Sequence, residues 1–165
     1  MRAKVLSILI ALAAGSAAAQ VRPPACMAPE YRQFDFWAGD WIVHGKNGNV
    51  VGTNRITKEL GGCLVHERYE TERGYRGESL NAYDATRKAW RQSWVDNGGL
   101  VLLLEGGLRD GRMVLEGETR DAAGQAVRNR ITWTPNEDGS VRQHWEVAGK
   151  EGQWTTSFDG RYVRR

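Results

Sequence analysis

The sequence predicts an all-β protein, an antiparallel up-and-down barrel of about ten strands, on three observations. After Tyr31 the chain alternates apolar and polar residues over short segments, and no stretch of ten or more residues keeps a 3.6-residue apolar period. Clusters of Gly, Asn and Asp punctuate these segments at hairpin-like spacing. No connection is long enough for a crossover helix, so sequence neighbours pair antiparallel, and closure into a barrel removes the two edges of the meander.

Each strand follows from its alternation and its flanking turn. The first, 40–46, carries Trp41 and Val43 on one face and His44 on the other, and ends at Asn47-Gly48. Strand 49–57 places Asn54 and Ile56 inward, and strand 63–71 does the same with Val65, Glu67 and Tyr69. Residues 72–77 form a loop over the open end. Strand 78–84 offers Ser79, Asn81 and Tyr83 to the interior in competition with Leu80 and Ala82. In 89–96, Trp90, Gln92 and Trp94 oppose Arg91 and Ser93, and Asp96-Asn97-Gly98-Gly99 turns the chain into 100–106. Asp110-Gly111 introduces 112–119, and Asp121 to Gly124 introduces 125–134, where Asn129, Ile131 and Trp133 oppose Arg128, Arg130 and Thr132. After Asn136 to Gly139, strand 141–148 sets Gln143, Trp145 and Val147 against Arg142, His144 and Glu146. The turn Gly149 to Gly152 leads to 153–163, where Trp154, Thr156, Phe158 and Tyr162 are expected inside and Ser157, Asp159 and Arg161 outside. Charge opposite the tryptophan face is what a closed barrel in water requires.

Ahead of the barrel domain, 39–165, the chain divides in two. Residues 1–19 read as a signal peptide: a short basic start with Arg2 and Lys4, an apolar run from Val5 to Gly15, and Ala17-Ala18-Ala19 before Gln20. Residues 20–38 read as an N-terminal segment with a short helical turn. Removing the leader leaves 21 basic residues against 20 acidic, which argues against a nucleic-acid footprint. No later segment approaches the ~20 apolar residues of a membrane span, so a periplasmic or secreted chain with no transmembrane segment is expected. In that oxidising setting Cys26 and Cys63, the two cysteines of the chain, favour a disulfide. Their separation without a Cys-x-x-Cys pair is poor for zinc.

The inward set mixes indole and phenol rings with Asn54, Glu67, Gln92, Asn129 and Gln143, which is the composition of a small-molecule cavity, or of a filled core whose amides satisfy one another. The expected ligand-binding residues are Asn54, Glu67, Tyr69, Tyr83, Trp90, Gln92, Trp94, Asn129, Trp133, Gln143 and Trp145. Glu67 is the sharpest of them: an inward carboxylate must be paired or hydrogen-bonded, and burial raises its pKa. It could anchor a ligand, act as a general acid or base, or serve a structural bond.

At Phe34-Asp35-Phe36-Trp37-Ala38-Gly39-Asp40-Trp41, with Gly62-Cys63, Glu67, Tyr83-Asp84, Trp94-Val95-Asp96, Trp133 and the stretch from Phe158 to Arg164, the chain resembles an exported bacterial family of unknown function with a lipocalin-like barrel. The resemblance covers nearly the whole chain after the leader. Gly39-Asp40-Trp41 is also similar to the Gly-x-Trp of calycins, which implies that Trp41 plugs the closed end and that Arg164 or Arg161 packs on it. Activity does not follow from such a fold.

Catalytic signatures are mostly missing. There is no Gly-x-Ser-x-Gly and no His-Glu-x-x-His, and Gly39 to Lys46 departs from the phosphate-loop spacing. Parity sets His44, His66 and His144 outside, so neither a metal centre nor any other cofactor is expected; haem through an inward His144 is the exception that an inverted parity would allow. The leading expectation is a non-catalytic barrel that binds a small, partly apolar ligand. An isomerase- or hydrolase-type enzyme using Glu67 is the alternative, followed by an envelope-associated protein using its arginine-bearing outer faces.

Overall fold

The computed structural model describes residues 25–149 and 152–165; the leader read at 1–19 lies outside them. Ten strands follow one another: β1 (Gly39–Gly45), β2 (Val50–Glu59), β3 (Leu64–Glu70), β4 (Arg76–Asp84), β5 (Ala89–Asp96), β6 (Val101–Arg109), β7 (Arg112–Arg120), β8 (Ala126–Pro135), β9 (Val141–Ala148) and β10 (Trp154–Arg164). Each pairs antiparallel with its neighbours in sequence, and β1 pairs with β10, so the sheet closes with no free edge. The fold is a closed, ten-stranded, lipocalin-like barrel.

Turn chemistry drives the connectivity. Asp110 and Gly111 both adopt positive φ, 50° and 75°, the backbone a two-residue hairpin between right-twisted strands needs. In the β7–β8 turn, Asp121 Oδ1 accepts the backbone N–H groups of Ala123 and Gln125. Three segments differ from expectation by two residues or more, β2 by running on to Glu59 rather than ending at 57. β4 begins at Arg76 rather than at 78, so only 71–75 form the β3–β4 loop. β6 runs on to Arg109 because Gly106 and Gly107 pair with Leu115 and Val114; a Cβ on Gly106 would lie 2.1 Å from the Val114 carbonyl oxygen, so this close approach of backbones requires glycine.

A bulge in β10 overturns one part of the parity reading. The register with β9 shifts between Thr156 and Phe158: Phe158 and Tyr162 face inward as expected, whereas Trp154 and Thr156 face out. Trp154 lies on the outer wall beneath the guanidinium groups of Arg128 and Arg130, at 5.1 and 4.2 Å from its ring centroid. One inserted residue, Ser157, inverts everything N-terminal to it on the strand.

The described part of the N-terminal segment, 25–38, closes one end of the barrel. Its two 3-10 turns, Pro29–Arg32 and Asp35–Trp37, carry Phe34 and Trp37 into the barrel, where both are fully buried against Trp133. Trp41 Nε1 donates to the Trp37 carbonyl at 2.9 Å, and the Arg164 guanidinium stands 4.5 Å from the Trp41 ring centroid. Of the two arginines considered for that role, Arg161 is engaged elsewhere, with Asp138 and Ser140. Cys26 and Cys63 form the expected disulfide, Cα–Cα 5.1 Å, fastening the segment to the β2–β3 connection at the same end. Among the described residues, no helix is long and apolar enough to cross a membrane.

Candidate functional site

The barrel interior has two halves. Toward the sealed end, Trp90 and Trp133 pack on Phe34, at centroid distances of 5.6 and 5.1 Å, and Tyr83 packs edge-on against Tyr31. These rings, expected to stack on a ligand, are committed to the plug. Asn129 is likewise occupied: it accepts from Trp145 Nε1 and donates to Thr119 and to the Val127 carbonyl.

Toward the loop end a cavity of about 180 Å³ remains. Six of the expected ligand-binding residues line it: Glu67, Tyr69, Gln92, Trp94, Gln143 and Trp145. Ile131, Phe158 and Tyr162, assigned inward by parity, complete much of the wall, and Leu102, Tyr75 and Ser157 join them. Leu102 was legible in principle, since it stands opposite Trp94 in register. Tyr75 reaches the cavity from the 71–75 loop, which parity does not address; its hydroxyl donates to Asp96 Oδ2 at 2.8 Å and its ring sits edge-on to Tyr69. Ser157 reaches it through the bulge.

The polar floor of the cavity is built by register. Glu67 on β3 stands opposite Ser79 on β4, and its β2 partner Ile56 neighbours Asn54 on the same face. Ser79 Oγ donates to Glu67 Oε2 at 2.6 Å and Asn54 Nδ2 donates to Oε1 at 2.7 Å. Behind Ser79, Asn81 Nδ2 donates to its Oγ at 2.8 Å, and Gln92 Nε2 donates to Asn81 Oδ1 at 2.8 Å. On the far wall the Tyr162 hydroxyl donates to Gln143 Oε1 at 2.5 Å, and Trp133 Nε1 donates to the same oxygen. Asn54 therefore serves the cavity from behind the carboxylate, where its own Oδ1 is buried without a partner among the described residues. The competition on β4 resolves in favour of the polar residues: Ser79 and Asn81 are buried while Leu80 points to solvent, because the buried carboxylate needs their donors.

Glu67 is 2 % exposed, and no Lys, Arg or His of the described residues lies within ion-pair distance of it. Removal from water pushes its pKa up from 4.5 to about 7; the Ser79 and Asn54 hydrogen bonds and the nearby His66 hold back part of that rise. Burial and the Glu67 charge in turn raise the Tyr162 and Tyr69 hydroxyls, so both stay protonated at neutral pH. Among the described residues, Glu67 is the only Asp, Glu, Lys, Arg or His on the cavity wall.

The histidines lie outside, as parity predicts. His144 Nε2 contacts Thr156 Oγ1 at 3.0 Å on the outer face, so it cannot serve as an axial ligand inside the barrel. His66 sits between Glu59 and Glu78, and His44 contacts the Gly48 carbonyl.

Fold and site together define a closed lipocalin-like barrel whose sealed half is packed and whose open half encloses a small aromatic cavity over one buried carboxylate. No family profile matches the sequence, and no curated protein matches it.

Proposed function

We propose that this chain is an exported barrel that binds a small, partly apolar ligand in the cavity between Glu67 and Trp94, and does so without transforming it. The observation that carries this reading is a cavity of about 180 Å³ whose wall is mostly aromatic and aliphatic, with a few convergent polar groups. An engineered cavity of roughly 150 Å³ accepts benzene, so the space suits a single ring or a short chain and is too small for haem. Export is supported by the Cys26–Cys63 disulfide, which persists in oxidising compartments. Kinship with the exported calycin-like barrels that the sequence resembles is supported by Trp41 on the first strand beneath Arg164.

Native mass spectrometry of the protein purified from its exported compartment tests the reading. A bound mass of one small organic molecule, lost when Ile131→Trp fills the cavity, is the expected result. A clean unliganded mass, with no tryptophan fluorescence response to a library of small aromatic compounds, would return the interior to a purely structural role.

The enzyme alternative draws on one observation, a carboxyl group whose pKa of about 7 suits proton transfer near neutrality. Its role would be that of a lone general acid or base, since among the described residues the cavity wall carries no second carboxylate, histidine or lysine. A bell-shaped rate profile abolished by Glu67→Gln would establish it.

A further inference from the structure

The hydrogen-bonding groups around the cavity are not evenly divided between donors and acceptors. Nearly every donor on the wall is already engaged by the protein. Trp94 Nε1 and the Tyr75 hydroxyl donate to Asp96, Trp145 Nε1 to Asn129, the Tyr69 hydroxyl to the Val51 carbonyl, and the Tyr162 hydroxyl to Gln143. The Gln92 amide N–H groups point at Asn81 and Ser79. What these bonds leave facing the cavity are acceptors: the Gln92 carbonyl oxygen, the remaining lone pairs of the Glu67 carboxylate, and the oxygens of Tyr69 and Tyr162. Among the described residues, Gln143 Nε2 on the far wall and the Ser157 hydroxyl at the bulge are the donors that remain.

A buried anion with no counter-charge, ringed by aromatic faces and acceptors, is complementary to a cation that brings its own N–H groups. We propose that the ligand is a small organic amine in its protonated form, with its ammonium on Glu67 between Tyr69 and Tyr162 and a single ring or short apolar chain against Trp94, Leu102 and Ile131. This rests on the reading that the cavity binds a ligand and adds to it the ligand's charge. A neutral alcohol would satisfy one acceptor and leave the carboxylate uncompensated. A carboxylate ligand would face Glu67 with a like charge.

Binding of this kind is linked to pH through Glu67, because an ammonium with a pKa near that of lysine, about 10, stays charged from pH 5 to 9. The titratable groups facing Glu67 from the packed elements are the Tyr69, Tyr75 and Tyr162 hydroxyls, all raised, and His66 acts on it through the wall from the outer side of β3. Amine affinity should therefore rise with pH up to about 7, where Glu67 ionises, and level off above it.

The test is isothermal titration of the exported, disulfide-bonded protein with three probes of one shape: 2-phenylethylamine, 2-phenylethanol and phenylacetate. At pH 8 the amine should bind at least about tenfold more tightly than the alcohol, the phenylacetate most weakly, and Glu67→Gln should remove the difference between amine and alcohol. Amine affinity of the unaltered protein should fall by up to about tenfold per pH unit between pH 7 and 5. If the alcohol binds as well as the amine, or the amine's advantage survives in Glu67→Gln, the amine assignment is wrong while the cavity reading stands. Failure of all three probes overturns both. Should Glu67→Gln not fold, the pH dependence of the unaltered protein decides alone, and a flat amine profile rejects the proposal.

Discussion

The benzenoid edge of Trp94 fills the space above Gly77: a Cβ on Gly77 would lie 2.1 Å from Trp94 Cζ2 and 2.4 Å from Cη2. The same relation holds between Phe158 and Gly160, where the separation would be 2.5 Å, and between the Tyr69 hydroxyl and Gly52, at 2.7 Å. Three rings of the cavity wall thus lie back against glycines, and the cavity exists because they do.

Gly77→Ala should push the Trp94 indole into the cavity. Overpacking of this kind destabilises by roughly 1–3 kcal/mol, visible in urea unfolding. Affinity for any cavity ligand should fall with it, and a variant that keeps full affinity would show that Trp94 has another place to go.

Replacing Glu67 should change how stability depends on pH. Its folded pKa of about 7 stands above its unfolded value of 4.5, so the native state holds a proton that the unfolded chain releases. That contribution is complete below about pH 4.5 and is lost as pH rises to about 7, an effect of order 3 kcal/mol across the window. Glu67→Gln should flatten the urea-midpoint profile over this range; an unchanged slope would assign the titration to another group.

Trp133 and Trp154 should separate in a truncation experiment. Trp133→Ala empties a fully buried site against Phe34 and Trp37 and should cost about 3–5 kcal/mol in chemical unfolding. Trp154→Ala removes only outer-wall contacts with Arg128 and Arg130 and should cost about 1–2 kcal/mol. Equal losses would contradict the bulge at Ser157.

Opening the disulfide should loosen the plug. Cys26→Ser with Cys63→Ser should lower stability by roughly 3–4 kcal/mol and raise hydrogen exchange first in residues 29–38. Exchange that rises evenly around the barrel instead would mean that the bridge acts on the whole chain.

Ten strands and their order were legible because alternation and hairpin turns are local signals, and a closed meander needs little more. Ser79 and Asn81 show what alternation cannot decide alone: against Leu80 and Ala82 the strand reads either way, and only the register with Glu67 selects the polar face. Trp154 was misplaced because a bulge leaves no mark in an otherwise regular strand. Parity sets Trp90 and Trp133 inside, as observed, but gives the face of a residue and not its depth, which here packs both rings on Phe34. Phe34 and Trp37, two residues of the quoted signature, turned out to be the plug that takes up that depth. Tyr75 belongs to the loop expected over the open end, where alternation assigns no face, so its place on the wall is not legible.

Pairing of β1 with β10 sets Trp41 opposite Arg164, and Arg165 N–H donates to the Asp40 carbonyl at 3.0 Å on the plugged side. Cys26 is fastened there too, so both ends of the described chain, residues 25 and 165, lie at the floor of the vessel. A tether or label joined at Arg165 would therefore hold the molecule upright, with its entrance turned toward solution. Immobilised on a sensor surface in that orientation, the barrel would keep free exchange with whatever flows past it.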